Sequence, residues 1–142
     1  MPKILVPVDG SEVSLRVVAV LLRRLRWYGV PVELHLVNVQ RPVRQDVGQF
    51  VDHDALLAFH REEGLKLLAV ASEAIQGAGI ATALHVLLDD QPAAAICRFA
   101  RERQFDEICM GSHGRGAMTH LLLGSVAADV VRQADLPVTL IK

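Results

Sequence analysis

Short apolar runs alternate with longer segments of helical periodicity along the chain, and this alternation restricts the fold more than any other feature. Apolar residues in the segments between the runs recur mostly every three or four positions, as on one face of a helix. Strands that alternate with helices run parallel and are joined by right-handed crossovers. We therefore predict an α/β fold, a doubly wound five-stranded parallel sheet with helices on both faces. The predicted strands are Lys3–Val8, Val32–Val39, Ile80–Leu87, Asp106–Met110 and Pro137–Ile141.

We expect the strand order 3-2-1-4-5, although the alternation alone does not determine it. In this order the winding reverses after strand three, so strands one and four are neighbours at the point where such sheets bind ligands. Asp9 and Gly111, which follow these two strands, would then face one crevice. Pro7 lacks the N–H group that a central strand donates, so we expect it near the end of strand one. The chain has 142 residues, a length that fits a single domain over positions 1–142.

The helical segments have recognisable ends. Ser11 can cap the first helix, Gly77 stops the second, and Pro92 suits the first turn of the third. The predicted helices span Ser11 to about Tyr28, Asp52 to Gln76 and Pro92 to about Arg103, and a last segment through Val131 restarts at Gly124-Ser125. In the second helix we predict a buried stripe of apolar residues, namely Leu56, Phe59, Leu67, Val70 and Ala74. Residues 40–51 form an unusually long connection, and we expect a flap there.

The charge and cysteine content exclude several classes of function. Fifteen basic and sixteen acidic residues give a formal net charge of -1, so no overall field favours nucleic acid or an anionic membrane as a partner. No apolar run approaches the roughly 20 residues of a membrane span, and the N-terminus is too short for a signal sequence, so we expect a cytoplasmic protein. Cys97 and Cys109 lie in apolar patterns without C-x-x-C spacing, which predicts buried thiols rather than a redox pair.

The stretch Gly111-Ser-His-Gly-Arg-Gly116 joins strand four to a helix and is the best candidate for an anion site. Glycine lets a ligand approach the backbone closely, so a row of bare N–H groups can hold phosphate oxygens. Arg115 could add a charged donor, or it could be a solvated loop residue. His113 and His120 lie in or near this turn, but we find no third ligand for a transition metal and predict no metal site.

The glycine pattern differs from the common nucleotide fingerprints. The chain has neither the G-x-x-x-x-G-K-[ST] loop nor G-x-G-x-x-G after its first strand, which counts against a P-loop ATPase and a nicotinamide dehydrogenase. It has instead Gly111-x2-Gly114-x9-Gly124-Ser125. Here the chain resembles the universal stress protein family, whose nucleotide-binding members carry G-x2-G-x9-G-[ST] after the fourth strand. Met110–Gly116 looks like the family's signature, and three further segments also look like the family: Ile4–Ser11, Leu36–Val39 and Pro92–Ile96.

The resemblance implies a binding site for ATP, with a Mg²⁺ ion that enters with the phosphates. By analogy, backbone amides of the glycine turn and of the next helix start hold the phosphates, Asp9 lies beside the nucleoside, and the backbone of Val39 recognises adenine. The implied nucleotide-binding residues are Pro7, Val8, Asp9, Val39, Met110, Gly111, Ser112, Gly114, Arg115, Gly116, Gly124, Ser125 and Val126. The family's fifth strand often pairs across a dimer, which implies a homodimer through Val138 to Ile141. Asp90 departs from the family, which often has glycine two residues before the proline.

Three hypotheses about function follow. The leading one is an ATP-binding stress or regulatory protein that acts as a homodimer, because no nucleophile with an adjacent base and no acid–base pair can be assembled from the motifs. A second hypothesis is a dimerisation and partner-docking module that does not depend on nucleotide. A third is slow ATP hydrolysis, with Asp9 positioning a metal ion or water.

Overall fold

The five strands form one parallel sheet in the predicted order. The computed structural model describes residues 1–43, 52–113 and 123–142. Its strands are β1 (Lys3–Pro7), β2 (Glu33–Gln40), β3 (Thr82–Leu88), β4 (Glu107–Gly111) and β5 (Val138–Ile141). They pair in the order β3-β2-β1-β4-β5, and every pair is parallel. The predicted fold class and strand order are confirmed.

Helices cover both faces of this sheet. The described residues contain α1 (Glu12–Arg24), α2 (His53–Gln76), α3 (Pro92–Glu102) and α4 (Ser125–Gln133), and a 3₁₀ turn (Leu25–Trp27) extends α1. On one face, α1 and α2 pack on alternate strand residues such as Leu34 and Leu36. On the other face, α3 and α4 pack on Leu5 and Val37. None of the helices in this described part of the chain is both long and apolar enough to cross a lipid bilayer.

Pro7 lies in a central strand without interrupting its ladder. It is the last residue of β1, where it is opposite Val37 of β2. The next residue resumes the pairing, since the N–H of Val8 donates to the carbonyl of Val37 at 2.8 Å. A proline at this terminal position removes one donor without opening the sheet. The placement of Pro7 near the strand end is therefore confirmed.

The buried face of α2 differs from the predicted stripe. Five of the residues that face the sheet are His60, Gly64, Leu68, Ala71 and Ile75. By contrast, Phe59 and Val70 are 49% and 56% exposed, so the predicted stripe is wrong. Gly64 explains the difference, because a Cβ atom there would lie 2.6 Å from Cγ1 of Val86 on β3. The helix therefore turns a small residue toward the sheet and approaches it closely, which leaves larger apolar side chains at its margin.

A polar cluster is enclosed beneath the C-terminal part of α3. His35 on β2 contacts two polar partners from opposite edges of its ring: Nδ1 lies 2.8 Å from Nε2 of His85, and Nε2 lies 2.5 Å from Oε1 of Glu33. The ring of Phe105 packs edge-on against His35 at a centroid distance of 4.8 Å. Burial, together with the neighbouring charge of His35, lowers the pKa of His85 below its usual value. The native state therefore favours neutral His85.

Both cysteines are buried and form no disulfide, as predicted. Cys109 lies inside β4, and Cys97 lies on the face of α3 that packs against the sheet. Burial raises the pKa of the Cys109 thiol to about 12, so the reactive thiolate is strongly disfavoured.

Candidate functional site

A cleft of about 430 Å³ lies at the carboxyl ends of β1, β2 and β4. Its volume is in the range of about 300–1,000 Å³ that is usual for small-molecule sites. The position follows from the strand order, because the winding reverses between β1 and β4 and the helices leave the sheet in opposite directions there. The cleft gathers nine of the predicted nucleotide-binding residues: Pro7, Val8, Asp9, Val39, Met110, Gly111, Gly124, Ser125 and Val126.

The turn after β1 is held by its own hydrogen bonds. Oδ1 of Asp9 accepts a hydrogen bond from the N–H of Ser11 at 2.9 Å, and Gly10 between them has a positive φ of 82°. Oγ of Ser11 in turn caps α1 by accepting from the N–H of Ser14 at 3.2 Å. This arrangement fixes the position of Asp9 at the cleft wall, and it also satisfies the first turn of α1. Asp9 therefore has a structural role at the same place where a ligand role was predicted.

Gly111 is required by close packing at the end of β4. A Cβ atom at this position would lie 2.6 Å from Cγ1 of Val13 on α1 and 3.1 Å from the carbonyl oxygen of His113. Carbon atoms normally approach no closer than about 3.5 Å, so no larger residue fits without movement of α1 or of the turn. The missing side chain leaves the backbone itself as the wall of the cleft. The structure therefore gives Gly111 a packing role, while its contact with a ligand stays a prediction.

Two of the predicted phosphate donors are already engaged within the chain. The N–H of Ser112 donates to the carbonyl of Ile141 at 2.9 Å, and the N–H of Gly124 donates to the carbonyl of Ser112 at 2.8 Å. Ser112 is itself buried, and its Oγ lies 3.1 Å from Nδ1 of His113. Neither N–H is available to a phosphate in this structure, so the prediction that these two amides are phosphate donors is corrected. Their bonds instead attach the start of α4 to the ends of β4 and β5.

The N-terminus of α4 opens into the cleft. Gly124 is the N-cap residue and provides no side chain to cap the helix. The first N–H groups of a helix have no carbonyl partner within it, and they carry the positive end of the helix dipole. Ser125 and Val126, which bear two of these groups, both line the cleft. This helix start is suited to an anionic group such as a phosphate.

The sequence analysis missed a hydrogen-bonded network on the β2 side of the cleft. Nδ2 of Asn38 donates to the carbonyl of Val8 at 2.8 Å, and Nε2 of Gln40 donates to Oδ1 of Asn38 at 2.7 Å. Oε1 of Gln40 lies 3.3 Å from Nδ1 of His60 on α2. Asn38, Gln40 and the neighbouring cation Arg41 all line the cleft. One signal was present, since Asn38 is a polar residue within an otherwise apolar strand end.

Several sequence predictions fall elsewhere. Gly114, Arg115, Gly116 and His120 lie outside the described residues, as does most of the proposed flap at 40–51. His113 lines the cleft, but no three His, Cys, Asp or Glu side chains within the described ranges converge as a metal site. Asp90 is exposed and does not line the cleft. Its φ is not positive, because Gln104 is the sole non-glycine residue with a positive φ in the described part of the chain. The turn after β3 therefore does not need glycine at position 90.

Comparison with known proteins identifies the family. The model of the universal stress protein family matches residues 1–142. This chain belongs to the universal stress protein family. A universal stress protein of Thermus aquaticus is 33% identical over 140 residues, which cover 98% of this chain and 97% of the relative.

Solved structures of universal stress proteins share the fold. The structure of MJ0577, a universal stress protein of Methanocaldococcus jannaschii, has a TM-score of 0.79 and 26% identity and covers 99% of this chain and 94% of its own. A universal stress protein of Archaeoglobus fulgidus in complex with dAMP has a TM-score of 0.65 and 28% identity, with 100% and 98% coverage. Universal stress proteins similar to this chain thus include one solved with a bound adenine nucleotide.

Proposed function

We propose that this universal stress protein binds ATP in the cleft at the ends of β1 and β4 and acts as a regulatory or stress-response binding protein. The observation that carries the proposal is the meeting of Asp9, the bare backbone at Gly111 and the open N-terminus of α4 around one cleft of about 430 Å³. The relative solved with dAMP supports the same ligand class. We also propose that the whole chain forms one domain. The cytoplasmic location stays a prediction from the sequence.

The cleft offers different surfaces to the different parts of a nucleotide. Pro7, Val8 and Val39 provide an apolar wall for the nucleoside, and Asp9 lies at the edge of that wall. The helix start at Ser125 and Val126 suits the phosphates, and His113 and the cation Arg41 line the same cleft. A Mg²⁺ ion would enter with the phosphates, because it keeps most of its own water ligands. We assign no catalytic residue, and any hydrolysis of ATP would be slow.

Isothermal titration calorimetry with ATP and Mg²⁺ tests the proposal, and Gly124→Asp is the most informative variant. An aspartate at the N-cap would place its own carboxylate on the open N–H groups of α4, which stabilises the helix and competes with a phosphate. A charge at a helix terminus contributes up to about 2 kcal/mol, so ATP affinity should fall by more than about tenfold while the protein stays folded.

Gly124→Asn is the matched control, because asparagine caps the same N–H groups without a charge. We expect it to weaken ATP binding less than Gly124→Asp does. Gly124 has φ −60° and ψ 155°, a conformation open to every residue type, so both variants can adopt the native backbone. The proposal fails if the wild-type chain binds neither ATP nor ADP nor AMP in the presence of Mg²⁺.

We propose further that the protein is a homodimer through Val138 to Ile141. This segment is β5, the outermost strand beside β4, so one of its backbone edges has no strand partner within the described sheet. Every second residue along this segment bonds to the β4 side. The carbonyls of Pro137 and Ile141, for example, accept hydrogen bonds from the N–H groups of Ile108 and Ser112. The intervening residues, such as Leu140, direct their N–H and carbonyl groups to the outer edge. An exposed edge of this kind can pair with the same strand of a second copy.

Leu140→Pro tests this interface, since it removes an outward N–H without touching the ladder between β4 and β5. Leu140→Ala is the matched control, because it shortens the side chain and keeps the N–H. Sedimentation velocity should show a dimer for the wild type and for Leu140→Ala, and a monomer for Leu140→Pro. A wild-type monomer at all concentrations would exclude the dimer and leave the nucleotide proposal intact.

A further inference from the structure

The network of Asn38, Gln40 and His60 has only one possible arrangement of donors and acceptors. The carbonyl of Val8 can only accept, so the amide N–H of Asn38 must face it at 2.8 Å. Oδ1 of Asn38 is then turned toward Gln40 and accepts from Nε2 of Gln40 at 2.7 Å. Oε1 of Gln40 is consequently directed at His60, and Nδ1 of His60 must carry the proton. The backbone carbonyl of Val8, the residue after β1, thus determines the direction of three side chains.

Gln40 is the most exposed of these three residues, and it lines the cleft. Asn38 and His60 are only 3% and 6% exposed, whereas Gln40 is half-buried and lines the cleft. The amide of Gln40 has two N–H donors and two carbonyl lone pairs, and the network uses one of each. One donor and one acceptor therefore remain on a side chain that cannot exchange its nitrogen and oxygen. An exchange would place oxygen against Oδ1 of Asn38 and an N–H against the N–H of His60.

We propose that Gln40 selects the base of the bound nucleotide and favours adenine, an inference that rests on the proposed nucleotide function. Gln40 is next to Val39, whose position lines the same cleft. A glutamine amide complements adenine, which has an acceptor nitrogen beside its 6-amino donor. The 6-oxo purines reverse this polarity, because N1 carries a proton and position 6 carries an oxygen. A glutamine free to rotate would accept both kinds of purine, but a glutamine held by Asn38 and His60 accepts only one.

The comparison of AMP with IMP isolates this effect, because the two ligands have the same ribose, phosphate and ring shape. They differ only at N1 and position 6 of the purine. Calorimetric titration of the wild-type protein should give an affinity for AMP about tenfold to a hundredfold above that for IMP. Gln40→Met, which keeps the length of the side chain and removes its polar atoms, should reduce this ratio to about one-tenth of its wild-type value, mainly by weakening AMP.

His60→Phe tests whether base selection depends on the fixed orientation of the Gln40 amide and not only on its presence. This variant keeps Gln40 and removes the group that holds Oε1, so the ratio of AMP to IMP affinity should fall because IMP binds more tightly. A purely structural network would change the unfolding midpoint in both variants and leave the ratio unchanged. Gln133→Met, an exposed glutamine at the end of α4, is the matched control and should change neither the midpoint nor the ratio.

The outcomes distinguish this inference from the proposed function. If the wild type binds AMP but Gln40→Met keeps the full ratio of AMP to IMP affinity, base selection by Gln40 is overturned and nucleotide binding stands. If the wild type binds no nucleotide at all, both are overturned. A wild-type preference for IMP over AMP would also overturn the inference, since the held amide would then have the opposite polarity.

Discussion

Replacing Gly111 by alanine should destabilise the protein through a single steric contact. The new Cβ atom would lie 2.6 Å from Cγ1 of Val13, about 0.9 Å inside the closest normal separation of roughly 3.5 Å between carbon atoms. Val13 is β-branched and has few rotamers with which to move away. The carbonyl oxygen of His113, 3.1 Å from the new atom, is a second close contact. Overpacking of this kind costs about 1–3 kcal/mol, and we expect about 2 kcal/mol for Gly111→Ala.

A double-mutant cycle with Val13→Ala tests the mechanism. Val13 is half-buried, so loss of two partly exposed methyl groups should itself cost about 1 kcal/mol. In the double variant the Cβ at position 111 occupies the space that those methyl groups leave. The cost of the double variant should therefore fall below the sum of the single costs by about 1–2 kcal/mol.

Urea unfolding monitored by circular dichroism gives these free energies directly. Leu15→Ala, another α1 substitution at a half-buried residue, is a control that should add to Gly111→Ala without interaction, because Leu15 does not approach Gly111 in the contacts described. The reasoning is refuted if Gly111→Ala is neutral, or if Val13→Ala and Gly111→Ala are simply additive.

Three further predictions concern the interior. Because burial lowers the pKa of His85, the native state binds fewer protons there than the unfolded state. The free energy of unfolding should therefore fall as the pH drops below about 6.5. His85→Gln should flatten this pH dependence, as measured by urea titrations at pH 5 to 8. Cys109, with its pKa raised to about 12, should react with a thiol reagent only on unfolding, so fast labelling of the native protein would contradict its burial. Leu68→Ala should lower the free energy of unfolding by about 2–5 kcal/mol, since Leu68 is fully buried on the face of α2 that packs against the sheet. Val70→Ala on the exposed side of α2 should cost far less in the same titration.

Local patterns predicted the elements of this fold well, because they depend on neighbours in sequence. Apolar runs and capping residues placed all five strands and the start of α3 at Pro92. The order of the strands was an expectation that the alternation did not determine, and the structure confirmed it. The face of α2 was predicted less well: apolar character marked Phe59 and Val70 for burial, but the fit of Gly64 against Val86 rotated the helix away from them. Periodicity identifies which residues are apolar, whereas the partner surface decides which of them are covered.

For the candidate site, too, the sequence determined some features and the tertiary structure determined others. The sequence by itself determined where the backbone carries no side chain, namely at Gly111 at the end of the fourth strand and at Gly124 before the last helix. Only the tertiary structure decided that the amides of Ser112 and Gly124 are already donated to carbonyls, and that Gln40 faces the cleft with a fixed polarity. The physical reason is distance along the chain. A glycine's freedom is a property of one residue, but a hydrogen bond between Gln40 and His60 exists only after β2 and α2 have packed together.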